Sequence, residues 1–494
     1  MKARIATGTE GLDEVLCGGL PSARMYLVQG EPGAGKTTFA LRFLLEGAKS
    51  GERGLYVTLS ESARELHAVA HSHGWSLEGI HVFELSTEDD GAEFEDNTLY
   101  VPAEVELGER MRALFAEVER VQPTRVVIDS CSELRLLAQG PLRLRRQLLS
   151  LKERLVRRGI TLLLLETAGG RARDPLLQSL VHGVIQFEQL SPQYGAARRR
   201  LRVLKMREVD FRAGYHDMAM RRGGLEVFPR LVAAEHHAEF QPSLVQSGVP
   251  ELDALLGGGF ELGTSTLIIG PAGSGKSALA MQYAVALAER GERALMFSFD
   301  EGLAVMQRRA RGLGMDIAPH LASGRLSLQQ IDPAELSPGE FITRVRNEVA
   351  RSDAKLVVID SLNGYLHAMP EERFLTLQLH ELFSFLRQRG ALTLLLMAQH
   401  GIVGKIDGPV DVSYLADTVV LTRFFEAAGR VRKAISVVKK RTGGHEDTIR
   451  EFKLSAAGLE VGPPLSDFRG VLSGVPQYDG PDGGALLPVR DGAP

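Results

Sequence analysis

The sequence repeats itself over almost its whole length, and this repeat constrains the fold more than any other feature. Glycines and a lysine of the first half recur 240 positions later, with Gly8, Gly30 and Lys36 corresponding to Gly248, Gly270 and Lys276. The offset becomes 231 for the pair Asp129 and Asp360, and 234 for the pair Lys205 and Lys439. Small insertions and deletions in loops explain such shifts. Two related domains are therefore expected, in keeping with the size at which single cores stop growing, about 250–300 residues.

We place the first domain at residues 1–238 and the second at 239–464, with a tail at 465–494. The tail is rich in Gly and Pro and lacks apolar periodicity, which is typical of a terminal extension and not of a third packed domain.

Charge and cysteine content exclude several classes of protein. The 58 Lys and Arg against 62 Asp and Glu give a net charge of −4, so no overall basic field attracts the chain to nucleic acid or to an anionic membrane. Two cysteines, Cys17 and Cys131, are too few for a disulfide framework. The strongest apolar runs, 161–165 and 391–398, are much shorter than a membrane-spanning helix. We read no secretory signal at the N-terminus and expect a cytoplasmic protein.

Short apolar runs alternate with longer helical patterns in each repeat, which predicts an α/β fold with mainly parallel, twisted sheets covered by helices. The predicted strands are 25–29, 55–59, 125–128 and 161–165, with counterparts at 266–269, 295–299, 356–359 and 393–397. Helices are predicted at 37–49 and 277–289, each ending before a glycine.

The strongest chemical signal is a phosphate-binding loop between a strand and a helix, GEPGAGKT at 30–37 and GPAGSGKS at 270–277. The glycines that let backbone N–H groups surround phosphate oxygens are Gly30, Gly33, Gly35, Gly270, Gly273 and Gly275. Lys36 and Lys276 are expected to hold the β- and γ-phosphates of ATP, and Thr37 and Ser277 to bind Mg²⁺. A Gly-rich turn followed by a solvated lysine is the alternative, and two copies in matching context argue against it.

Acidic residues at two further places in each repeat fit a nucleotide site. Asp129 and Asp360 end apolar strands, where an aspartate can organise the Mg²⁺ shell or can simply serve the following turn. Glu61 follows the second predicted strand, as Asp300 and Glu301 do in the second domain. These three are the candidate bases for activating water, and capping of the next helix is the alternative.

In combination these motifs resemble the KaiC family of RecA-type ATPases, the double-domain proteins of the cyanobacterial circadian clock. The resemblance covers about residues 5–465. It includes the basic strand ends Lys205-Met206-Arg207 and Lys439-Lys440-Arg441 and the stretch 434–452. It implies two tandem RecA-like P-loop domains.

Further properties follow from the resemblance alone. It implies a hexameric ring with ATP at the subunit boundaries, slow hydrolysis in the first domain and self-phosphorylation in the second. It also implies that Lys205, Arg207, Lys439 and Arg441 reach the γ-phosphate held by a neighbouring subunit. Taken without the family, each basic pair is a solvated strand end.

The phosphoacceptor pair of the family, Ser followed by Thr, aligns with Ser413 and Tyr414. Phosphorylation at Ser413 alone is therefore expected in place of an ordered two-site cycle, and a packed loop serine is the alternative. The first acid of the family's glutamate pair is replaced by Ser60 and Asp300. A clock-type oscillator does not follow from this sequence.

Two functions compete. One is a KaiC-like ATPase and serine autokinase that signals to a protein partner. The other is a RecA-class ATPase that binds nucleic acid through the arginine clusters at 198–202 and 143–146, which equally suit a solvated face or a subunit interface. The net acidity favours the first, so nucleic acid is not the expected partner.

Overall fold

The computed structural model describes residues 3–85, 103–167, 175–191, 195–367, 375–399, 414–427, 429–471 and 477–479. The chain divides into two compact units, Met1–Arg230 and Leu231–Pro494. Leu231 and Ala233 pack in a core of the second unit. The boundary that we placed after residue 238 stays a prediction.

The first unit is built from short strands and longer helices in alternation. Its strands are β1 (Arg4–Ile5), β2 (Leu20–Pro21), β3 (Met25–Gly30), β4 (Gly54–Thr58), β5 (Ile80–Glu84), β6 (Arg125–Asp129), β7 (Thr161–Thr167), β8 (Gly183–Leu190), β9 (Arg198–Met206), β10 (His216–Arg221) and β11 (Gly224–Phe228). Its helices are α1 (Leu12–Val15), α2 (Lys36–Lys49), α3 (Ala63–Ser72), α4 (Ala103–Val121), α5 (Cys131–Ala138), α6 (Pro141–Arg157) and α7 (Pro175–Leu180).

The second unit repeats this alternation. Its strands are β12 (Leu244–Val245), β13 (Phe260–Glu261), β14 (Ser265–Gly270), β15 (Ala294–Ser298), β16 (Leu326–Gln330), β17 (Leu356–Asp360), β18 (Leu392–Ala398), β19 (Thr418–Ala427), β20 (Arg430–Lys440), β21 (Ile449–Ser455), β22 (Gly458–Pro464), β23 (Phe468–Arg469) and β24 (Gln477–Tyr478). Its helices are α8 (Pro250–Leu255), α9 (Lys276–Glu289), α10 (Leu303–Gly312), α11 (Ala318–Ala322), α12 (Pro338–Ser352), α13 (Leu362–His367) and α14 (Leu375–Gln388), and a short 3₁₀ turn (Ala233–Glu235) precedes β12.

The two units have the same sheet topology. Within the described ranges the main sheet of the first unit has nine strands in the order β11-β10-β9-β8-β3-β7-β6-β4-β5, and that of the second runs β22-β21-β20-β19-β14-β18-β17-β15-β16. Six strands of each sheet, from β8 to β5 and from β19 to β16, are parallel, and a three-stranded antiparallel extension follows. The predicted α/β fold is confirmed, and the predicted apolar runs are buried strands.

The parallel strands are apolar throughout because helices cover both faces of each sheet. Successive residues of β3 point to opposite faces, so Leu27 packs in one apolar cluster and Val28 in the other. Helix α2 covers one face, and its Phe39 and Phe43, four residues apart, are both fully buried. This packing fixes the start of α2 at the carboxyl end of β3, where the phosphate-binding loop lies.

No helix in the part of the chain that the structure describes is both long and apolar enough to cross a membrane.

Candidate nucleotide sites

Each phosphate-binding loop connects the central strand of its sheet to the following helix. Gly33 and Gly35 have φ values of 77° and 104°, and Gly273 and Gly275 have 78° and 101°. Only glycine adopts such angles at little cost, which is why the motif requires it here. Because the first N–H groups of a helix have no intrahelical acceptor, the starts of α2 and α9 can bind phosphate oxygens.

The loop lysines lie folded over the loops. The Nζ of Lys36 donates hydrogen bonds to the carbonyls of Gly30 (2.8 Å) and Glu31 (2.9 Å). The Nζ of Lys276 donates in the same way to the carbonyls of Gly270 (2.9 Å) and Pro271 (2.8 Å). Burial lowers the pKa of both lysines, and Asp129 and Asp360 partly offset this effect. Both ammonium groups are therefore positioned at the loops that would hold a triphosphate.

The predicted Mg²⁺ ligands are brought together in both units. The hydroxyl of Thr37 lies 3.3 Å from the Oδ2 of Asp129, and burial raises the pKa of this carboxyl group. In the second unit the pKa of Asp360 is also raised by burial, and a hydrogen bond from Ser277 offsets only part of this rise. A hydroxyl and a carboxylate are the oxygen ligands that Mg²⁺ prefers. The described residues contain no cluster of three or more His, Cys, Asp or Glu suited to a metal.

Tyr56 is a site residue that the sequence did not reveal. Its hydroxyl donates a hydrogen bond of 2.6 Å to the Oδ2 of Asp129, the atom that also contacts Thr37. Burial and the neighbouring carboxylate raise the pKa of this phenol, so the hydroxyl remains a donor. In the second unit the corresponding position is Met296, which cannot donate. The first site thus holds its aspartate with one additional hydrogen bond.

We expect Tyr56→Phe to raise the Mg²⁺ concentration needed for half-maximal nucleotide binding at the first site by about tenfold, the scale on which partners of metal ligands act. Titration of Mg²⁺ with a fluorescent ATP analogue measures this in a Lys276→Ala background. Tyr26→Phe is the matched control, because the buried Tyr26 hydroxyl donates to the carbonyl of Pro21 (2.6 Å) instead. Equal shifts in both variants would contradict a specific role for Tyr56.

Glu61 lies at the carboxyl edge of the first sheet, next to the site. The backbone of Glu61 forms hydrogen bonds with the Thr58 hydroxyl, and the Cα of Thr58 pairs with that of Asp129 on the adjacent strand. Within the described residues the buried Oε2 of Glu61 has no hydrogen-bond partner. Burial and the negative charge of Asp129 raise the pKa of Glu61. A carboxylate with a free oxygen and a raised pKa is suited to accept a proton from water.

The corresponding acids of the second unit are engaged differently. The Oδ2 of Asp300 accepts a hydrogen bond of 2.6 Å from the Ser361 hydroxyl. The carboxylate of Glu301 forms an ion pair with Arg309. The two sites therefore share the phosphate-binding loop and the aspartate but differ in the state of the candidate base.

The basic strand ends lie at the opposite edge of each sheet. The Cα of Lys205 pairs with Val184 near the start of β8, and that of Lys439 with Val419 near the start of β19. By strand register these points lie about 10 Å before the ends of β3 and β14. The structure therefore does not bring these basic residues to the phosphate-binding loop of their own unit.

Backbone carbonyls hold both basic pairs, and an acid contributes to the second pair. Lys205 donates to the carbonyls of Gln178 and Val181 (2.7 and 2.9 Å), Arg207 to that of Ser179 (2.9 Å) and Lys439 to that of Ala416 (2.8 Å). Arg441 pairs with Asp417 (3.4 Å) and donates to the carbonyl of Tyr414 (3.1 Å). Tyr414 is 55% exposed. The candidate phosphoacceptor Ser413 lies outside the described residues.

The arginine clusters are largely occupied within the fold. Arg200 forms an ion pair with Glu188 (2.9 Å) and stacks on Tyr215, and Arg202 donates to Gln186. In the second cluster Arg145 donates to the Ser179 hydroxyl (3.3 Å). These contacts favour a structural role over phosphate binding for these arginines.

Comparison with known proteins agrees with this geometry. A family model described as "ATPase: KaiC" matches residues 5–232 and again residues 245–466. The circadian clock oscillator protein KaiC of Picosynechococcus sp. is 27% identical over 493 residues, covering 96% of this chain and 92% of that protein. The circadian clock protein KaiC3 of Synechocystis sp. is 27% identical over 491 residues, and the match covers 96% of this chain and 95% of that protein. Thermosynechococcus vestitus has a circadian clock oscillator protein KaiC with 27% identity over 486 residues.

Proposed function

The chain belongs to the KaiC family of ATPases, and we propose that it is an oligomeric enzyme whose first site hydrolyses ATP and whose second site phosphorylates Ser413. The observation that carries the proposal is the difference between two otherwise matching sites. Glu61 has a carboxylate oxygen without a hydrogen-bond partner among the described residues, whereas Glu301 is bound to Arg309. We expect the phosphorylated state to be read by a protein partner, as a signal or a timer.

At the first site Glu61 would take a proton from the attacking water while Lys36 and the loop N–H groups stabilise charge on the transferred phosphoryl group. Thr37 and Asp129 would hold Mg²⁺, which would neutralise charge on the phosphates. Tyr56 orients Asp129 for this task. Glu61, the phosphate-binding loop and Asp129 all lie at the carboxyl edge of one sheet, and the Tyr56 hydroxyl reaches Asp129 from within β4.

At the second site Lys276, Ser277 and Asp360 would hold the ATP and its Mg²⁺ in the same manner. The acceptor would be the Ser413 hydroxyl, with Asp300 or Glu301 taking its proton. Arg441, which lies away from the phosphate-binding loop of its own unit, donates to the carbonyl of Tyr414, the residue after Ser413. We therefore propose that this serine accepts its phosphoryl group from ATP held by a neighbouring subunit.

The position of the basic strand ends supports a ring. Lys205, Arg207, Lys439 and Arg441 lie away from the phosphate-binding loop of their own unit, so any contact that they make with a triphosphate would be with one held by a neighbouring subunit. ATP would then bridge two subunits, and ligand binding would stabilise the assembly. We propose that the ring contains six subunits, as the resemblance to the KaiC family implies.

ATP is therefore expected to drive assembly from smaller species into rings of six chains. Light scattering coupled to gel filtration, with and without Mg-ATP, measures this. Lys36→Ala combined with Lys276→Ala should abolish the effect, whereas Lys49→Ala, a change of an exposed lysine at the end of the same helix α2, should not. A monomer at every ATP concentration would rule out the ring.

The competing RecA-class function in nucleic-acid binding has weaker support, because its candidate arginines are engaged in the fold and the net charge is −4. A cytoplasmic location also remains our proposal. It is supported by Cys17 and Cys131, neither of which forms a disulfide in the described structure.

A further inference from the structure

The helices that follow the two acidic loops carry different residues at the position from which the second helix contacts the acid. Helix α3 begins directly after the Glu61 loop, and α10 begins directly after the Glu301 loop. With the 240-residue offset between the repeats, Val69 of α3 corresponds to Arg309 of α10. Both positions are partly buried, and from their second residue onward the two helices show the same pattern of exposure. Val69 packs against the apolar core of the first unit, whereas Arg309 binds Glu301.

The ion pair in the second unit engages one oxygen of the Glu301 carboxylate. Arg309 donates from Nη1 to the Oε2 of Glu301, and the two side chains are only 28% and 20% exposed. The guanidinium occupies an acceptor position of this carboxylate and fixes its orientation, so fewer positions remain to bind and orient an attacking water. In the first unit Val69 makes no such bond, and the Oε2 of Glu61 remains without a partner in the described structure.

We propose that Arg309 is a positioning residue that holds Glu301 away from water activation and so protects the ATP of the second site from hydrolysis. The inference rests on the proposed function and deepens it, since it gives the reason why this site would donate its phosphoryl group to a protein hydroxyl. Asp300, which lies outside the ion pair, is then the acid that remains for the serine proton.

The step that Arg309 would slow is the attack of water on the γ-phosphate of ATP. In hydrolysis the water oxygen forms a bond to the γ-phosphorus while the bond from that phosphorus to the β,γ-bridging oxygen breaks. ADP leaves with the electron pair, and one proton of the water passes to a carboxylate. With Glu301 held by Arg309, this proton lacks the acceptor that Glu61 would provide at the first site, so attack by water is slow.

The test uses the full chain with the first site silenced by Lys36→Ala, so that released phosphate comes from the second site. Arg309→Val, which installs the first-unit residue, should raise the rate of phosphate release by about tenfold, part of the range that a general base contributes. Arg309→Lys keeps a cation and should stay near the parent rate. Arg308→Val is the matched control, because Arg308 is exposed on the same helix.

A second pair of variants separates positioning from general loosening of the fold. The gain from Arg309→Val should disappear when Glu301→Gln is added, because the effect acts through that carboxylate. Conversely, Val69→Arg in a Lys276→Ala background should lower phosphate release from the first site by about tenfold. Thermal unfolding and binding of a fluorescent ATP analogue verify that each variant is folded and loaded.

Phosphate release that is unchanged or lower in Arg309→Val, with ATP bound, would overturn the inference. So would a gain that persists with Glu301→Gln. A fall in ATP affinity would also overturn the inference, because it would show that Arg309 binds the nucleotide. The buried Nη2 of Arg309, which has no acceptor among the described residues, is consistent with that outcome. Absence of hydrolysis from every variant, including those with an intact first site, would contradict the proposed function and the inference with it.

Discussion

Glu61→Gln is expected to lower phosphate release from the first site by about 10²-fold or more, the usual scale for losing a general base. Glutamine has nearly the same shape but cannot take a proton from water. ATP binding and ATP-dependent assembly should be retained, because Lys36, Thr37 and Asp129 are unchanged. Steady-state phosphate release in a Lys276→Ala background measures the first site alone.

Glu65→Gln is the control for this variant. Glu65 lies four residues further along and caps helix α3 through Ser62, so its carboxylate serves the helix and not the site. It should leave phosphate release within about twofold of the parent rate, because surface changes of this kind have small effects. Unchanged phosphate release in Glu61→Gln, measured in the same Lys276→Ala background, would show that Glu61 is not the general base of the first site.

The pH dependence provides an independent check on the same residue. Burial and Asp129 raise the pKa of Glu61, so the carboxylate that accepts the proton is lost at a higher pH than for an exposed glutamate. The rate should fall as the pH decreases through this raised pKa. Glutamine does not titrate, so this fall should be absent from the residual rate of Glu61→Gln.

Under Mg-ATP the peptide spanning residues 406–423 is expected to gain one phosphate, and Ser413→Ala and Lys276→Ala are each expected to abolish it. The reason is that phosphoryl transfer requires an in-line hydroxyl with the triphosphate fixed by the loop lysine. Tyr414 carries its hydroxyl several ångströms further from the backbone, so one pocket should not serve both. Phosphopeptide mass spectrometry locates the acceptor.

Two variants serve as controls for the acceptor. Tyr414→Phe should keep the phosphate, since Ser413 is intact. Lys36→Ala should keep it as well, because the donor is the ATP of the second site. Phosphate on Tyr414 alone, or phosphate that survives Lys276→Ala, would show that the acceptor or the donor is wrongly assigned.

The sequence predicts much of the fold because its signals are local and repeated. Apolar runs such as 161–165 and 393–397 match buried parallel strands, and the loop motifs mark the start of α2 and α9 to within a residue. A phosphate-binding loop is one continuous segment, so its geometry follows from its residues. The partnership of Thr37 with Asp129 follows because both lie at carboxyl ends of parallel strands.

The parts of the site that the sequence does not predict depend on side chains that meet across the fold. Tyr56 in an apolar strand has the pattern of a core residue, and only the sheet register brings its hydroxyl to Asp129. Arg309 on a polar helix has the pattern of a solvated charge, and its pairing with Glu301 depends on how α10 follows the acidic loop. In both cases the comparison of the two repeats, Tyr56 with Met296 and Arg309 with Val69, marks positions where the sites diverge.

The central claim, that the first site hydrolyses ATP while the second donates to Ser413, is tested most directly by following released and protein-bound phosphate in the same samples of Lys36→Ala and Lys276→Ala under Mg-ATP. The account predicts that Lys276→Ala releases phosphate and carries none, and that Lys36→Ala carries phosphate on Ser413 and releases little. The reverse pattern, or the loss of both products in either variant alone, would contradict it.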